Sequence, residues 1–248
     1  METTLRVLVA LALTGLLIML RLDAERFGAA EYDEPQAGVS GLSAWTRRLA
    51  WYVIGLALVV AIIAIHPAPA TDLFLDVGDR AGGVFLGIIL GLGGVALAVG
   101  VAWFHYRRLR LPDVSMYPGA LANEIITAFI DEATFRGAVL GFLLLAGLDA
   151  NLAILGQAFA YTLATRLGAP GRDRYLFLVS LIVGILAGWA TVLTQGIGAA
   201  FLGHAITRVA IFLTTGHAGQ PALPGREVED VAKRRSAPDG WSPVDEPG

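Results

Sequence analysis

The sequence predicts an all-α protein, a polytopic bundle of about seven membrane-spanning helices. Hydrophobic residues make up 56% of the 248 residues, and the mean hydropathy is +0.66. Charged residues make up only 16% of the chain, against roughly 25% in soluble domains. Seven apolar stretches follow one another along the sequence, most of them near the length of about 20 residues that an α-helix needs to cross a bilayer.

The first apolar stretch runs from Val7 to Leu20 and has the length of a signal-peptide core. Because the charged segment 21–26 follows it without a small-residue cleavage site, we expect it to remain as an uncleaved first span. The other six stretches cover residues 49–65, 81–104, 121–145, 152–167, 175–193 and 198–215. In the third stretch, Gly83, Gly87 and Gly91 recur at helical spacing, which predicts close packing against another helix.

The arginine and lysine residues indicate how these spans are oriented. Four segments hold four, three, three and four of them, in the order 21–48, 105–120, 166–174 and 216–248. The opposite side holds only Arg6 and Arg80. Because basic residues collect on the cytoplasmic side of membrane proteins, we expect the N-terminus outside and the C-terminus in the cytoplasm. A bacterial inner (plasma) membrane is the expected location.

We divide the chain into three regions. Residues 1–116 are predicted to form an N-terminal region of three spans, and residues 117–215 a core of four spans. Residues 216–248 are rich in proline, glycine and charge, which predicts a disordered cytoplasmic tail. The absence of cysteine excludes disulfides and thiolate metal sites. The basic residues form no run typical of nucleic-acid binding, so the lipid bilayer, not nucleic acid, is the expected partner.

Three ionisable residues lie within six positions of the fourth span: Asp131, Glu132 and Arg136. Ionisable side chains are costly in hydrocarbon and by default indicate a functional site. The i, i+4 spacing of Glu132 and Arg136 favours an ion pair, which could serve only to neutralise itself and tie helices together. Asp131 points about 100° away around the helix and needs another partner. Two adjacent carboxylates can divide labour, one taking a proton from water and the other orienting it.

Other polar residues in the spans have a structural interpretation beside the functional one. His204 and Arg208 again lie four residues apart in the seventh span. A single histidine in an apolar helix is more often a packing residue, although its mid-span position favours a function. Thr165 and Tyr161 lie in the fifth span, where threonine hydroxyls usually bond back to the backbone. Glu124 is expected to favour the N-terminus of the fourth helix.

Three short motifs follow in order. Asp131-Glu132-x-x-x-Arg136 precedes Tyr161-x-x-x-Thr165 and then, after a glycine-rich helix and a Thr-Gln-Gly turn, His204-x-x-x-Arg208. In order and spacing, the chain resembles the CPBP family of CAAX proteases and bacteriocin-processing enzymes, also called the Abi family. The resemblance covers roughly residues 117–213. It implies a glutamic-type intramembrane endopeptidase on a helical membrane fold.

The family motifs are Glu-Glu-x-x-x-Arg, Phe-x-x-x-His and His-x-x-x-Asn or Asp. Asp131 stands for the first glutamate, Thr165 for the second-motif histidine and Arg208 for the final Asn or Asp. The resemblance implies that Asp131 and Glu132 are the general base and its partner, Arg136 an orienting cation and His204 an oxyanion donor. Thr165 could donate a hydrogen bond in place of the histidine, but not a positive charge.

Arg208 leaves two interpretations open. With Arg136 it would balance the charges of Asp131 and Glu132, and a nearby cation stabilises an ionised carboxylate. Carboxylates held ionised are weak bases, so this favours a degenerate, non-catalytic member of the family. Alternatively, Arg208 replaces the missing histidine as the cation that stabilises the oxyanion. Two carboxylates and a histidine could bind a divalent metal, but the arginines already compensate the acids, so we predict no cofactor and no metal.

Three functions remain open from sequence. The first is an intramembrane endopeptidase that hydrolyses a peptide bond of a membrane-embedded or lipidated protein or peptide with carboxylate-activated water. The second is a non-catalytic binding or scaffold protein on the same fold. The third is a transporter or proton relay that uses intramembrane acids, which the lack of a visible inverted repeat or pair of broken helices disfavours.

Overall fold

The computed structural model describes residues 2–29, 41–106, 110–112, 118–167, 174–215 and 241–243. Nearly all of this part of the chain is helical. The helices are α1 (Glu2–Leu22), α2 (Gly41–Ile65), α3 (Pro69–Asp72), α4 (Arg80–Tyr106), α5 (Pro118–Glu132), α6 (Leu140–Leu145), α7 (Ala150–Leu167), α8 (Arg174–Thr194) and α9 (Gly198–Thr215), with a π-helical segment, Ala133–Val139, between α5 and α6. Each of the seven predicted apolar stretches lies within this helical structure.

Two very short strands are the exception to the helical architecture. Arg110–Pro112 (β1) pairs antiparallel with Trp241–Pro243 (β2), with Leu111 opposite Ser242. The rest of the predicted disordered tail, 216–248, lies outside the described residues. So do residues 107–109, 113–117 and 168–173 of the two loops assigned to the cytoplasmic side.

Four helical segments within the described residues are long and apolar enough to cross a membrane. They are Glu2–Leu22, Thr46–Ile65, Arg80–Phe104 and Phe177–Thr194, and Gly198–Thr214 is apolar but shorter. Many large apolar side chains on these helices point outward, among them Phe104, Leu193 and Phe85, which are 74%, 67% and 65% exposed. Water does not favour such surfaces, whereas lipid chains do. The chain is therefore an integral, multi-pass membrane protein.

Helix α9 is held against α4 along much of its length. A Cβ atom on Gly87 would lie 2.9 Å from Leu202 Cβ, and one on Gly91 only 2.7 Å from Ile206 Cδ1. Glycine allows this close approach of two backbones, which strengthens helix association in lipid. The predicted packing role of the glycine stripe is confirmed, and α4, from the N-terminal region, fixes the position of α9.

The fourth predicted span is helical throughout but changes its winding in the middle. The α-helix ends at Glu132, and Ala133–Val139 forms a π-helix before α-helical geometry resumes at Leu140. Wider π-helical turns are rare and occur frequently at functional sites. Here the change begins directly after the two adjacent carboxylates, so it sets the direction of Arg136 relative to Glu132.

The segment between α2 and α4 contacts both the π-helix and the turn between α8 and α9. The backbone N–H of Ile197, in the α8–α9 turn, donates to Phe74 O at 3.2 Å and to Asp76 O at 3.0 Å. A Cβ on Gly137 would lie 3.2 Å from Leu73 O, so the π-helix approaches the same segment closely. Leu73 and Phe74 are buried. Residues 73–76 therefore connect the π-helix to the turn that begins α9.

Candidate active site

Glu132 lies at the centre of a buried polar cluster. Its Oε1 atom is 2.6 Å from His204 Nδ1 and 3.1 Å from Arg136 NH1, and the Glu132 and Arg136 side chains are both 0% exposed. An ionised carboxylate only accepts hydrogen bonds, so His204 Nδ1 is the donor. Its short distance is typical of a charge-assisted bond. The other oxygen, Oε2, is buried and has no hydrogen-bond partner among the described residues, which leaves it free to accept a proton.

Tyr161 of α7 closes the cluster on the other side of His204. Its hydroxyl lies 3.4 Å from His204 Nε2, and the Arg136 guanidinium carbon lies 4.1 Å from the centroid of its ring. Phe135 packs edge-on against the same ring at 5.3 Å between centroids. Glu132, His204, Tyr161 and Arg136 thus form a closed ring of contacts built from α5, the π-helix, α7 and α9.

Asp131 is paired with a residue that the sequence analysis had placed in a loop. Arg21 Nε lies 2.8 Å from Asp131 Oδ1, and the two side chains are 2% and 1% exposed. Arg21 belongs to α1, which ends at Leu22, and not to a solvent-exposed loop. The need of Asp131 for a partner was visible in the sequence. An arginine at the end of an apolar stretch looks the same in sequence whether its side chain faces water or the helix bundle. Arg21 could therefore not be identified as the partner of Asp131.

Arg208 makes its ion pair with Glu124, not with the two adjacent acids. Arg208 Nε lies 2.8 Å from Glu124 Oε2, and both side chains are buried. Asn123 Nδ2 donates to Glu124 Oε1 at 2.9 Å, and the Tyr52 hydroxyl donates to Asn123 Oδ1. Glu124 was interpreted as a residue that favours a helix N-terminus. It is instead 1% exposed, and both of its carboxylate oxygens have polar neighbours.

A common geometry explains why His204 and Arg208 meet different glutamates. Helices α5 and α9 are in contact and run antiparallel, so a residue one turn further along α9 faces a residue earlier in α5. The four residues from His204 to Arg208 and the eight from Glu132 to Glu124 differ by about 6 Å in rise. The long arginine side chain spans that difference. Pairing the charged residues of α5 and α9 in antiparallel order would have identified Glu124 from the sequence.

Thr165 lies one turn beyond Tyr161 on α7 and is 4% exposed. Its hydroxyl is buried and has no hydrogen-bond partner in the part of the chain that the structure describes. Thr162, on the same helix, instead donates to Ala158 O at 2.7 Å, as threonine in a membrane helix usually does. The expectation of back-bonding therefore fails at Thr165, whose hydroxyl is available to another group.

The structure thus brings Glu132, Arg136 and His204 into direct contact, and it buries Asp131, Thr165 and Arg208 as well. Sequence reasoning did not identify Arg21, Glu124 or the contacts of the Tyr161 hydroxyl. Among the described residues, no group of three or more His, Asp or Glu side chains is arranged to hold a metal ion.

Comparison with known proteins identifies the segment that supplies most of these residues. Residues 113–210 match the family model of the Rce1-like type II CAAX prenyl endopeptidases. Searches of curated proteins and of solved structures found no match. The matched segment contains the six site residues predicted from sequence and excludes Arg21 and Tyr52. The resemblance inferred from the motifs is thereby confirmed: residues 113–210 have the signature of the Rce1-like CAAX prenyl endopeptidases, a peptidase family.

Proposed function

We propose that this protein is an intramembrane endopeptidase that hydrolyses a peptide bond of a membrane-embedded or lipidated protein or peptide. One observation supports this most directly. Glu132 is fixed through Oε1 by Arg136 and His204, while its buried Oε2 has no hydrogen-bond partner among the described residues. A carboxylate held on one side and free on the other is suited to take a proton from water.

In this proposal Glu132 Oε2 accepts a proton from the attacking water. Arg136 and His204 hold the carboxylate in place, so its orientation costs no further ordering during the reaction. Asp131, fixed by Arg21, supplies a second negative charge beside the first and is the partner carboxylate. The unpaired Thr165 hydroxyl is a candidate hydrogen-bond donor to the oxyanion that forms on the substrate carbonyl.

This scheme assigns Arg208 no step, because its ion-pair partner is Glu124 and not Glu132. Of the two interpretations open from sequence, neutralisation of the Asp131–Glu132 pair loses its main support, because Arg208 has an acid of its own.

A non-catalytic scaffold is the second candidate. Its supporting observation is that the three buried acids each contact an arginine: Asp131 with Arg21, Glu132 with Arg136, and Glu124 with Arg208. Such a core is electrically balanced without any substrate. The free oxygen of Glu132 favours the endopeptidase, because it belongs to a carboxylate that Arg136 and His204 hold in one orientation.

The test is cleavage of an internally quenched peptide that ends in a prenylated Cys-aliphatic-aliphatic-X sequence, with the full-length protein in liposomes. Glu132→Gln and His204→Ala should each slow cleavage by at least about 10²-fold. His66→Ala is the matched control, because His66 is also buried but contacts Phe142 instead of the acids. Cleavage by Glu132→Gln at the wild-type rate would contradict the role of Glu132, and a wild-type protein that does not cleave the peptide would favour the scaffold.

We further propose that the N-terminus faces outward and the C-terminus the cytoplasm of a bacterial plasma membrane, with about seven spans. The cysteine-free chain allows a direct test with single cysteines. Arg26→Cys should react with an impermeant thiol reagent only from the cytoplasmic side, and Asn151→Cys only from outside. Both positions are exposed. Labelling of both from one side would contradict the orientation.

A further inference from the structure

Tyr161 contacts more of the candidate site than its sequence position suggested. Its ring lies under Arg136, its edge meets Phe135, and its hydroxyl faces His204 Nε2 at 3.4 Å. Tyr161 is only 5% exposed. Buried tyrosine hydroxyls usually have a hydrogen-bond partner, and here the partner is the histidine that is bonded to Glu132.

The two nitrogens of His204 have different neighbours. Nδ1 donates to Glu132 at 2.6 Å, so it cannot also donate to a substrate. Nε2 faces the Tyr161 hydroxyl. Nε2 is therefore the nitrogen through which His204 can act beyond the glutamate, and its neighbour is the Tyr161 hydroxyl at 3.4 Å.

Resting on the proposed endopeptidase function, we propose that the Tyr161 hydroxyl is the proton donor to the leaving amine, supplied from His204. The second motif has two unusual residues one turn apart, Tyr161 and Thr165. The phenolic hydroxyl of Tyr161 is a stronger acid than the aliphatic hydroxyl of Thr165. The distance of 3.4 Å is long for a hydrogen bond, as catalytic hydrogen bonds often are before substrate binds.

The proton balance of this step is complete. The step requires a proton on each nitrogen of His204, with Nδ1–H on Glu132 and Nε2–H toward Tyr161. Water adds to the carbonyl and gives one proton to Glu132 Oε2. As the carbon–nitrogen bond breaks, Tyr161 gives its proton to the amine nitrogen and takes the Nε2 proton of His204. Water entering after product release takes the proton from Glu132 and returns one to His204.

Arg136 offsets part of the cost that burial and the charge of Asp131 place on ionising the Tyr161 hydroxyl. As the hydroxyl proton leaves, negative charge develops on the Tyr161 oxygen and ring. The guanidinium over the ring face, 4.1 Å from its centroid, stabilises that charge through an interaction that grows as the phenol ionises. Phe135 covers a ring edge and limits water access there. The same arginine thus holds Glu132 and supports Tyr161.

The leaving group provides a test that a merely structural role would not satisfy. The prenylated peptide is compared with an analogue in which the cleaved amide, located by mass spectrometry, is replaced by an activated aryl ester that needs no proton to depart. For Tyr161→Phe we expect kcat for the amide to fall about 10²-fold, with KM and ester kcat close to wild type. Glu132→Gln should slow both substrates, since both need activated water.

Tyr52→Phe is the matched control, because the Tyr52 hydroxyl also donates to a buried side chain but to Asn123, remote from His204. It should cleave both substrates like the wild type. Equal slowing of amide and ester by Tyr161→Phe, or no slowing of either, would overturn the proton-donor role while Glu132→Gln still tests the endopeptidase separately.

A measurement without substrate covers the case of a misfolded or inactive variant. In full-length protein labelled with ¹⁵N at histidine, the Nε2 resonance of His204, assigned with His204→Ala, should shift in Tyr161→Phe and stay in place in Tyr52→Phe. An Nε2 resonance that does not respond to loss of the Tyr161 hydroxyl would contradict the contact itself.

Discussion

Glu124 and Glu132 lie on one helix, about 12 Å apart along its axis, and differ in a single respect that matters for chemistry. Both are buried, and both contact an arginine. Both oxygens of Glu124 have a close polar neighbour, Asn123 Nδ2 at 2.9 Å and Arg208 Nε at 2.8 Å. Glu132 has two neighbours on Oε1 and no hydrogen-bond partner for Oε2 among the described residues. We call an acid closed when both carboxylate oxygens have a polar neighbour, and open when one oxygen has none. A closed acid stabilises structure, whereas an open acid can exchange a proton.

The largest expected effect tests this difference directly. Glu132→Gln should lower turnover of the prenylated peptide by about 10²–10⁴-fold, the usual contribution of general acid–base catalysis. Glu124→Gln should leave turnover per folded molecule at the wild-type order of magnitude and lower stability instead. The measurement is kcat normalised to the monodisperse fraction. If the two variants lose turnover equally, the distinction between open and closed acids is wrong.

Arg21 and Asp131 give the next effect, because both side chains are buried and form an ion pair. Arg21→Met leaves Asp131 buried without its cation, which should lower the free energy of unfolding by about 3–5 kcal/mol. The control is Arg26→Met, since Arg26 pairs with Asp23 at 3.1 Å on the surface, with the side chains 82% and 46% exposed. An exposed pair contributes about 0–1 kcal/mol. Unfolding titrations in mixed micelles measure both.

Adding Asp131→Asn to Arg21→Met should restore part of the lost stability, because the unpaired charge is then removed. The same result would tie α1, which lies outside the family-matched segment, to the site that the segment contains. Stability of Arg21→Met equal to that of Arg26→Met would mean that α1 does not support Asp131.

A smaller effect is expected from a double-mutant cycle on the closed acid. Glu124→Gln and Arg208→Gln should each destabilise the protein, and the double variant should be more stable than the sum of the two losses predicts. Coupling energies of residues in one buried network are about 0.5–3 kcal/mol. Additive losses in unfolding titrations would show that the 2.8 Å contact does not stabilise the fold.

How far the sequence leads can be judged from the same residues. The lengths of the apolar stretches predict the helices, because a helix needs about 20 residues to cross a bilayer. The i, i+4 spacing predicts the Glu132–Arg136 pair, and the order of the motifs adds His204. Arg21 was missed because its partner lies on a distant helix, and helix order in a bundle is not encoded by local spacing. Glu124 is found only when the charged residues of α5 and α9 are paired in antiparallel order. The π-helix was missed because no residue pattern in Ala133–Val139 distinguishes π-helical from α-helical winding.

The smallest expected effect concerns Thr165, which resembles Glu132 in having a free buried polar atom. Thr165→Val removes a hydroxyl that has no hydrogen-bond partner among the described residues, so stability should be unchanged or slightly higher. If the hydroxyl donates to the oxyanion, kcat should fall about tenfold, less than the loss typical of a dedicated oxyanion donor. Thr162→Val is the matched control: it loses its bond to Ala158 O at 2.7 Å, so it should cost stability and leave kcat unchanged. Comparison of the two valine variants separates a hydroxyl kept for packing from one kept for chemistry. An unaltered kcat in Thr165→Val would contradict a role of this hydroxyl in catalysis.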